Sequence, residues 1–389
     1  MSKNPMLNTK QSVRPEENWD WAKWVQLKQP LRKNFSRAPK LRLVDLFCGC
    51  GGLTLGVAEA CRQLGFNLDI ALAVDFSHEA LDVYRENFSV DEKVARRCDI
   101  RKLITGRIGN PLTFDERRLR KEIGVVDFLV AGPPCQGHSN LNNVSRRDDP
   151  RNRLYTRAGR AAEIFMPQFV LIENVPSVIH DSSGAVRKTR ARLEEIGYSV
   201  WDGVVSLADY GVPQTRKRHI LLASKLLDIS SGRFVFPVNK VHVPIKSFIS
   251  GLESEPLNCE GIFFKSAVLS RENKKRIDFL FERKLFDLPN FRRPPCHRKE
   301  HSYKSMYGRM YWDRPAQTIT SGFGSMGQGR FVHPLKRRTI TAHEAARIQG
   351  FPDFFSFRNV KKLTSLREMI GNAVPPQLAA TLVYRLFQT

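Results

Sequence analysis

The sequence predicts an α/β protein: a doubly wound sheet with a second, smaller and irregular domain. Three observations lead there. Between 41 and 223, short apolar runs alternate with segments of helical apolar spacing, the pattern of strands joined by crossover helices. The first run feeds a glycine-rich turn that opens a helix, as at the ligand edge of an open sheet. From about 240 to 314 the alternation gives way to prolines, aromatics and basic residues with no sustained period.

In order, residues 41–47 (LRLVDLF) read as a first strand and 48–52 (CGCGG) as a tight turn. Residues 53–64 have helical spacing and stop near Gly65, a residue suited to a helix end. Residues 70–74 (IALAV) form a second strand ending at Asp75, and a helix follows over 78–87. The run 125–132 (VVDFLVAG) is a buried strand closed by Gly132. Further strands are expected at 169–172 (FVLI) and 219–223 (HILLA), and helices at 341–349 and 376–387. The chain divides into an N-terminal polar segment (1–39), a large domain (40–245), a smaller domain (246–337) and a C-terminal segment that completes the large domain (338–389).

Composition narrows the function. Hydrophobic residues make up 41% of the 389, enough for a real core. No apolar run is long enough to cross a bilayer. The N-terminal segment lacks the apolar stretch of a signal peptide. It carries Trp19, Trp21 and Trp24 among polar and basic residues and reads as a tail or accessory segment. The seven cysteines form no CxxC pair, and Cys48-Gly49-Cys50 is too tight for a zinc knuckle. Neither a disulfide framework nor a metal site is therefore expected, and a reducing cytoplasm is the expected setting. Lys+Arg 63 against Asp+Glu 39 gives a formal net charge of +24. A single run such as 117–121 (RRLRK) reads as a solvated face. The chain-wide excess instead favours a polyanion through counterion release, and nucleic acid is the natural candidate.

Four short patterns carry chemistry. The first strand ends in Cys48-Gly49-Cys50-Gly51-Gly52, whose glycines let the backbone approach a ligand. The third glycine of GxGxxG is absent, which weakens a dinucleotide reading. Asp75 can accept bonds from ribose hydroxyls, and Asp99 is a further acidic candidate. Pro133-Pro134-Cys135-Gln136 presents a thiol at the carboxyl end of a strand, where open sheets keep their chemistry. A lone cysteine also reads as a small buried hydrophobe. Glu173-Asn174-Val175 puts a carboxylate at a strand end backed by Val170, Leu171 and Ile172. Desolvation there raises a carboxyl pKa towards an acid–base range, and a salt bridge is the plainer alternative. Gln214-Thr215-Arg216-Lys217-Arg218 sets Gln214, Arg216 and Arg218 on one side of an extended segment. Two guanidinium groups there can hold a carboxylate, a phosphate or a base carbonyl, or can simply line a charged edge.

In this order the patterns resemble the C5-cytosine DNA methyltransferases, over roughly 41–388. DLFCGCGGLTLG (45–56) resembles the opening motif that binds S-adenosyl-L-methionine (AdoMet), and GPPCQ (132–136) the nucleophile motif. ENV (173–175) is similar to its acidic partner, and QTRKR (214–218) to the family's QxRxR. RPAQTIT (314–320) resembles the segment that organises the recognition domain, and GNAVPP (371–376) the closing motif. His138 departs from the Phe that the family commonly carries in PCQxFS, which bears on the closing of the loop after the nucleophile.

The resemblance implies an AdoMet-dependent, Rossmann-like methyltransferase sheet and a target-recognition domain. It assigns attack on cytosine C6 to Cys135, contact with ring N3 to Glu173 and contact with O2 to Arg218, with Arg216 near Cys135 and the phosphate backbone. The cofactor is AdoMet, held by Phe47, Gly49, Gly51, Gly52, Asp75, Asp99, Pro134, Asn372 and Val374. No metal is implied. Nucleic-acid contacts fall to Gln136, Ser139, Gln214, Arg292, Arg293 and Arg298. The target base would be rotated out of the stack, with 136–153 as a lid. The implied partner is double-stranded DNA, met by a monomer in the cytoplasm at the nucleoid, with a separate cognate restriction endonuclease. An RNA (tRNA) methyltransferase on the same fold, a non-catalytic DNA-binding regulator and a nicotinamide dehydrogenase are the competing readings. The basic module after Ala223 leans towards DNA, and intact Cys135, Glu173, Arg216 and Arg218 lean towards catalysis.

Overall fold

The computed structural model describes residues 19–31, 38–134, 154–235, 242–252, 261–298 and 305–388. Its centre is a seven-stranded sheet: β1 (Lys40–Leu46), β2 (Asn67–Asp75), β3 (Ala95–Arg97), β4 (Phe128–Ala131), β5 (Phe169–Asn174), β6 (Ser199–Ser206) and β7 (Lys217–Ser224). They stand in the order β3-β2-β1-β4-β5-β7-β6. The first five in that order are parallel, and β7 is antiparallel to both of its neighbours. The doubly wound sheet that the sequence predicts is thus present, with two strands the apolar runs did not show. β3 is the three residues Ala-Arg-Arg, and β6 is broken by Asp202 and Gly203. β4 starts later than the apolar run suggests. Val125 is exposed, and Asp127 turns inward to accept from the Arg42 amide at 2.8 Å.

Both faces of the parallel strands are covered, so the strands read as continuous apolar runs rather than alternating ones. The helices are α1 (Trp21–Trp24), α2 (Gly52–Leu64), α3 (His78–Phe88), α4 (Ile100–Leu103), α5 (Phe114–Ile123), α6 (Leu154–Phe165), α7 (Ala185–Glu195), α8 (Lys246–Ile249), α9 (Arg271–Glu282), α10 (Ala342–Ile348), α11 (Leu363–Asn372) and α12 (Pro376–Leu386). Leu43, Val130, Leu171 and Leu222 pack on α2 and α12 through Leu53, Val57, Leu378 and Leu382. Val44, Leu129, Val170 and Leu221 face α5, α6 and α7 through Leu119, Ala158, Ala162 and Leu193. α2 and α12 meet at backbone distance. A Cβ on Gly56 would lie 2.1 Å from the Pro376 carbonyl, and one on Gly52 would lie 2.3 Å from that of Val374.

A buried charge network fixes α6. Arg160, 1% exposed, reaches Glu116 at 2.7 Å and Glu163 at 2.8 Å, and also donates to the carbonyls of Asn110 and Pro111. Every donor of that guanidinium cluster has an acceptor, as a buried charge requires.

Residues 19–27 of the Trp-bearing segment pack onto the large domain. Trp21 and Trp24 are buried, and Trp19 donates from its indole to Glu59 at 3.1 Å and meets Tyr384 edge-on. Asp353 and Phe354 donate their amides to the carbonyls of Val25 and Leu27. The polar composition of the segment hid this, because the indoles alone carry the packing. The smaller module has its own apolar cluster of Ile277, Leu280, Leu288, Tyr307, Met326 and Val332. Guanidinium–aromatic stacking supplements it, with Arg309 4.1 Å from Phe281 and Arg330 4.9 Å from Tyr311.

Candidate active site

Strand order reverses between β1 and β4, because β1 leads to β2 and β3 on one side while β4 lies on the other. Open sheets bind ligands in the crevice outside the carboxyl ends of strands at such a switch point. Leu46 pairs with Ala131, and the Gly132 amide donates to the Leu46 carbonyl at 3.2 Å. The glycine turn after β1 and the Pro-Pro turn after β4 therefore start side by side.

The glycine turn is built around Asp75. Phe47 takes φ 59°, a conformation unusual for a side-chain-bearing residue. The Gly49 amide donates to Asp75 Oδ2 at 2.8 Å, and Ser77 donates to Oδ1 at 2.8 Å. Burial nevertheless raises the Asp75 carboxyl above its ordinary value. Gly51, at φ +99°, is the N-cap of α2 and offers no side-chain acceptor to its first amides. A Cβ on Gly49 would meet nothing within 4 Å, so the turn has open space beside it. Below the turn Asp45 is fully buried. Its Oδ2 accepts from the Thr54 hydroxyl at 2.6 Å, and Tyr84 bonds that hydroxyl in turn at 2.9 Å. Burial pushes the Asp45 carboxyl up to about 8.

Asp99 follows β3 at the neighbouring strand end. It caps α4 and forks onto Arg101, which holds its carboxyl below the ordinary range. From the far end of the chain, Val374 is 8% exposed with its carbonyl against Gly52, while Asn372 is exposed at the end of α11. Phe47, Gly49, Gly51, Gly52, Asp75 and Val374 thus gather around the glycine turn, with Gly132, two residues before Pro134, beside the Phe47 carbonyl. A residue outside the sequence motifs, Phe76, follows Asp75 directly and is 72% exposed at the same strand end. The available signal was an aromatic directly after a strand-terminal acid.

On the β4–β5 side, Glu173 is 6% exposed and its Oε1 lies 2.6 Å from Arg218 Nε. The approach is a charge contact that falls short of hydrogen-bond alignment. Glu173 Oε2 and the Phe47 carbonyl each lie 3.9 Å from where a Cβ on Gly132 would sit. The carboxylate therefore stands beside both turns. Asn174, quoted in the Glu-Asn-Val motif without a role, ties the turns together. Its Nδ2 donates to the Pro133 carbonyl at 3.1 Å, and its Oδ1 accepts from the Val175 amide. Cys135, Gln136 and Ser139 lie outside the described residues.

Two residues of the Gln-x-Arg-x-Arg segment are buried. Arg216 is 2% exposed and donates from Nη1 to the carbonyls of Ile319 and Gly371, while Cys135, the neighbour expected of it, lies outside the described residues. Gln214 is fully buried and does not face a nucleic-acid surface. Its amide donates to Ile348 and Gln349 and accepts from Ile319. Gln214 thus ties residue 319 to the end of α10 and Arg216 ties it to α11, because an extended segment crossing an interior joint must satisfy the carbonyls it meets. Arg292, Arg293 and Arg298 lie on the smaller module around α9. Arg292 stacks 4.6 Å from Phe279, Arg293 bonds the Leu288 carbonyl, and Arg298 bonds that of Arg293.

Among the described cysteines, Cys48, Cys50 and Cys61 are buried. Burial pushes Cys50 and Cys61 up to about 12 and Cys48 well above its ordinary value, so these thiols stay protonated and inert. No helix among the described residues is long and apolar enough to cross a membrane.

Fold and site together define a Rossmann-like methyltransferase. The chain belongs to the C-5 cytosine-specific DNA methylase family, whose model matches residues 41–388. It is 46% identical over 384 residues to the Type II methyltransferase M1.BsuMI of Bacillus subtilis (strain 168), covering 98% of this chain and 88% of that one. It is 30% identical over 358 residues to the Type II methyltransferase M1.HphI of Haemophilus parahaemolyticus, covering 88% and 85%. A crystal structure described as that of a DNA modification methyltransferase encoded within an E. coli prophage superposes with a TM-score of 0.65 at 25% identity, covering 90% of this chain and 99% of that one. The Dnmt2 methyltransferase of S. pombe shares the fold at a TM-score of 0.60 and 18% identity, covering 90% and 98%.

Proposed function

We propose that the chain transfers a methyl group from AdoMet to C5 of a cytosine rotated out of a specific duplex DNA sequence. The step proceeds through a covalent bond between Cys135 and ring C6. The observation that carries this reading is the convergence of Glu173, paired with Arg218, on Gly132 and on the glycine turn at the switch point.

The crevice fits the cofactor. Phe47 and Phe76 supply aromatic faces for the adenine, Asp75 and Asp99 supply acceptors for ribose hydroxyls and the adenine amine, and the open space at Gly49 admits the ligand to the backbone. Gly51, Gly52, Pro134, Asn372 and Val374 complete its walls. When bound, AdoMet would supply an electrophilic methyl group on a sulfonium sulfur, the S–C bond breaking as the methyl is taken and its electron pair staying with the neutral thioether that leaves.

Cytosine C5 is a weak nucleophile until C6 gains an electron pair. The Cys135 thiolate forms the S–C6 bond, and the ring double bond moves its electrons towards C5 and N3. Glu173 holds a proton at N3 and Arg218 holds O2, so negative charge does not build on the ring. The buried setting of both side chains excludes the water that would weaken these contacts. Once C5 carries the methyl group, its proton leaves to a base and the double bond re-forms as Cys135 departs. Rotation of the base out of the duplex costs a few kcal/mol, offset by contacts in the pocket.

The names of the Type II relatives support a methylase of a restriction–modification system, with a separate endonuclease sharing its target. The chain would act as a monomer at the nucleoid. Expression in a methylation-deficient bacterium followed by bisulfite sequencing tests the reading. Protected cytosines in one short motif are expected. A soluble protein that binds AdoMet, protects no DNA and methylates tRNA would overturn it.

A further inference from the structure

Several buried and part-buried arginines here pair with a carboxylate. Arg160 has Glu116 and Glu163, Arg347 has Asp353, Arg338 has Glu344, and Arg218 has Glu173. Arg367 on α11 differs. Its guanidinium lies flat on Gly324, so that a Cβ there would sit 2.2 Å from Arg367 Cζ. Among the described residues its Nε is buried with no hydrogen-bond partner. Burial lowers its pKa, and among the described residues no carboxylate raises it again.

We propose that Arg367, seated on Gly324 and flanked by the exposed residues Ser321 and Ser325, is a phosphate site for the DNA strand beside the rotated cytosine. The proposal rests on the DNA-methyltransferase reading above. Its place in the fold is the first support. Gly371 lies four residues on, on the same face of α11. A Cβ on Gly371 would lie 2.2 Å from the Ser321 amide, and the Gly371 carbonyl accepts from Arg216, two residues from the Arg218 that pairs with Glu173. The 320–324 segment and Arg367 thus form one wall that leads to the site.

Chemistry is the second support. A desolvated cation without a counter-charge is unfavourable in the free protein, and a phosphodiester relieves that directly. The planar guanidinium fork suits two phosphate oxygens, and serine hydroxyls at 321 and 325 can donate to the same group. Exposed Lys361 and Lys362 at the start of α11 add positive field.

The test is binding of the full chain to a specific duplex and to a random duplex of the same length, across a salt series. Arg367→Ala is expected to weaken both about equally, about tenfold at 0.1 M salt, and to lower the salt slope by about one. AdoMet affinity and Tm should stay near wild type. If the alanine variant is unstable, Arg367→Lys and Arg367→Gln carry the comparison: lysine keeps the slope and glutamine lowers it. An unchanged slope in the alanine or glutamine variant overturns the phosphate site. Failure of the wild-type chain to bind or methylate DNA would instead overturn the functional reading.

Discussion

Asn174 Nδ2 donates to the Pro133 carbonyl across 3.1 Å, so the strand that carries Glu173 also holds the turn that leads to Cys135. Acid and nucleophile motifs are 38 positions apart in sequence (173 minus 135), yet one amide fixes the backbone of one against the other. That bond predicts a specific defect. Asn174→Ala leaves a buried carbonyl without its donor, at a cost of about 1–3 kcal/mol. It should lower kcat by roughly tenfold to a hundredfold through misplacement of the turn, with a smaller loss of AdoMet affinity through Pro134. Titration calorimetry beside turnover separates the two, and an unaltered kcat would show that the turn holds without this bond.

Two glycines of one turn should fail differently. At Gly52 a Cβ would strike the Val374 carbonyl at 2.3 Å, backbone that cannot step aside. Gly52→Ala should destabilise the fold by about 1–3 kcal/mol and lower Tm. At Gly49 nothing lies within 4 Å, although φ is +53°. Gly49→Ala should cost only about 1 kcal/mol of stability and lose AdoMet affinity far more. Paired melting and binding curves read both effects, and equal losses at the two sites would contradict the assignment.

Asp45 should give stability a pH dependence of defined sign. Its carboxyl titrates near 8 when folded because burial disfavours the charge, whereas in the unfolded chain it ionises near about 4. Between those values the folded state binds the extra proton, so this group lowers stability as pH rises from about 4 to 8 and adds no slope outside that window. Asp75 and Asp127, also raised by burial, act in the same direction. Asp45→Asn, which can still accept from Thr54, should flatten the decline. Denaturant midpoints at pH 5 and pH 8 are the readout, and an equal pH slope in both proteins would remove Asp45 from this role.

Much of this was legible in the chain because the physics is local. Runs such as LRLVDLF and FLVA are apolar on both faces, which marks strands covered by helices on each side. The glycine turn and Asp75 were readable because positive φ and a strand-end acid leave residue signatures. β3 and β6 were not, since Arg97 and Asp202 pair with neighbours the sequence does not name. The burial of Gln214 and Arg216 was hidden for the same reason. Their acceptors, Ile319, Ile348 and Gly371, are more than a hundred residues away, and an Arg in an extended segment looks alike whether it faces DNA or a carbonyl. Trp21 and Trp24 were visible as residues, but their partners around Phe354 were not.

The central claim is a covalent bond from Cys135 to the target cytosine. Duplex DNA synthesised with 5-fluorocytosine tests it most directly, because fluorine at C5 cannot leave as the proton does and the adduct accumulates. With AdoMet present, the wild-type chain should form a denaturant-resistant protein–DNA complex, and the modified peptide should contain Cys135. Cys135→Ala should form none while still binding AdoMet. No adduct in the wild type under conditions where it methylates ordinary DNA, or an adduct that survives Cys135→Ala, would contradict the account.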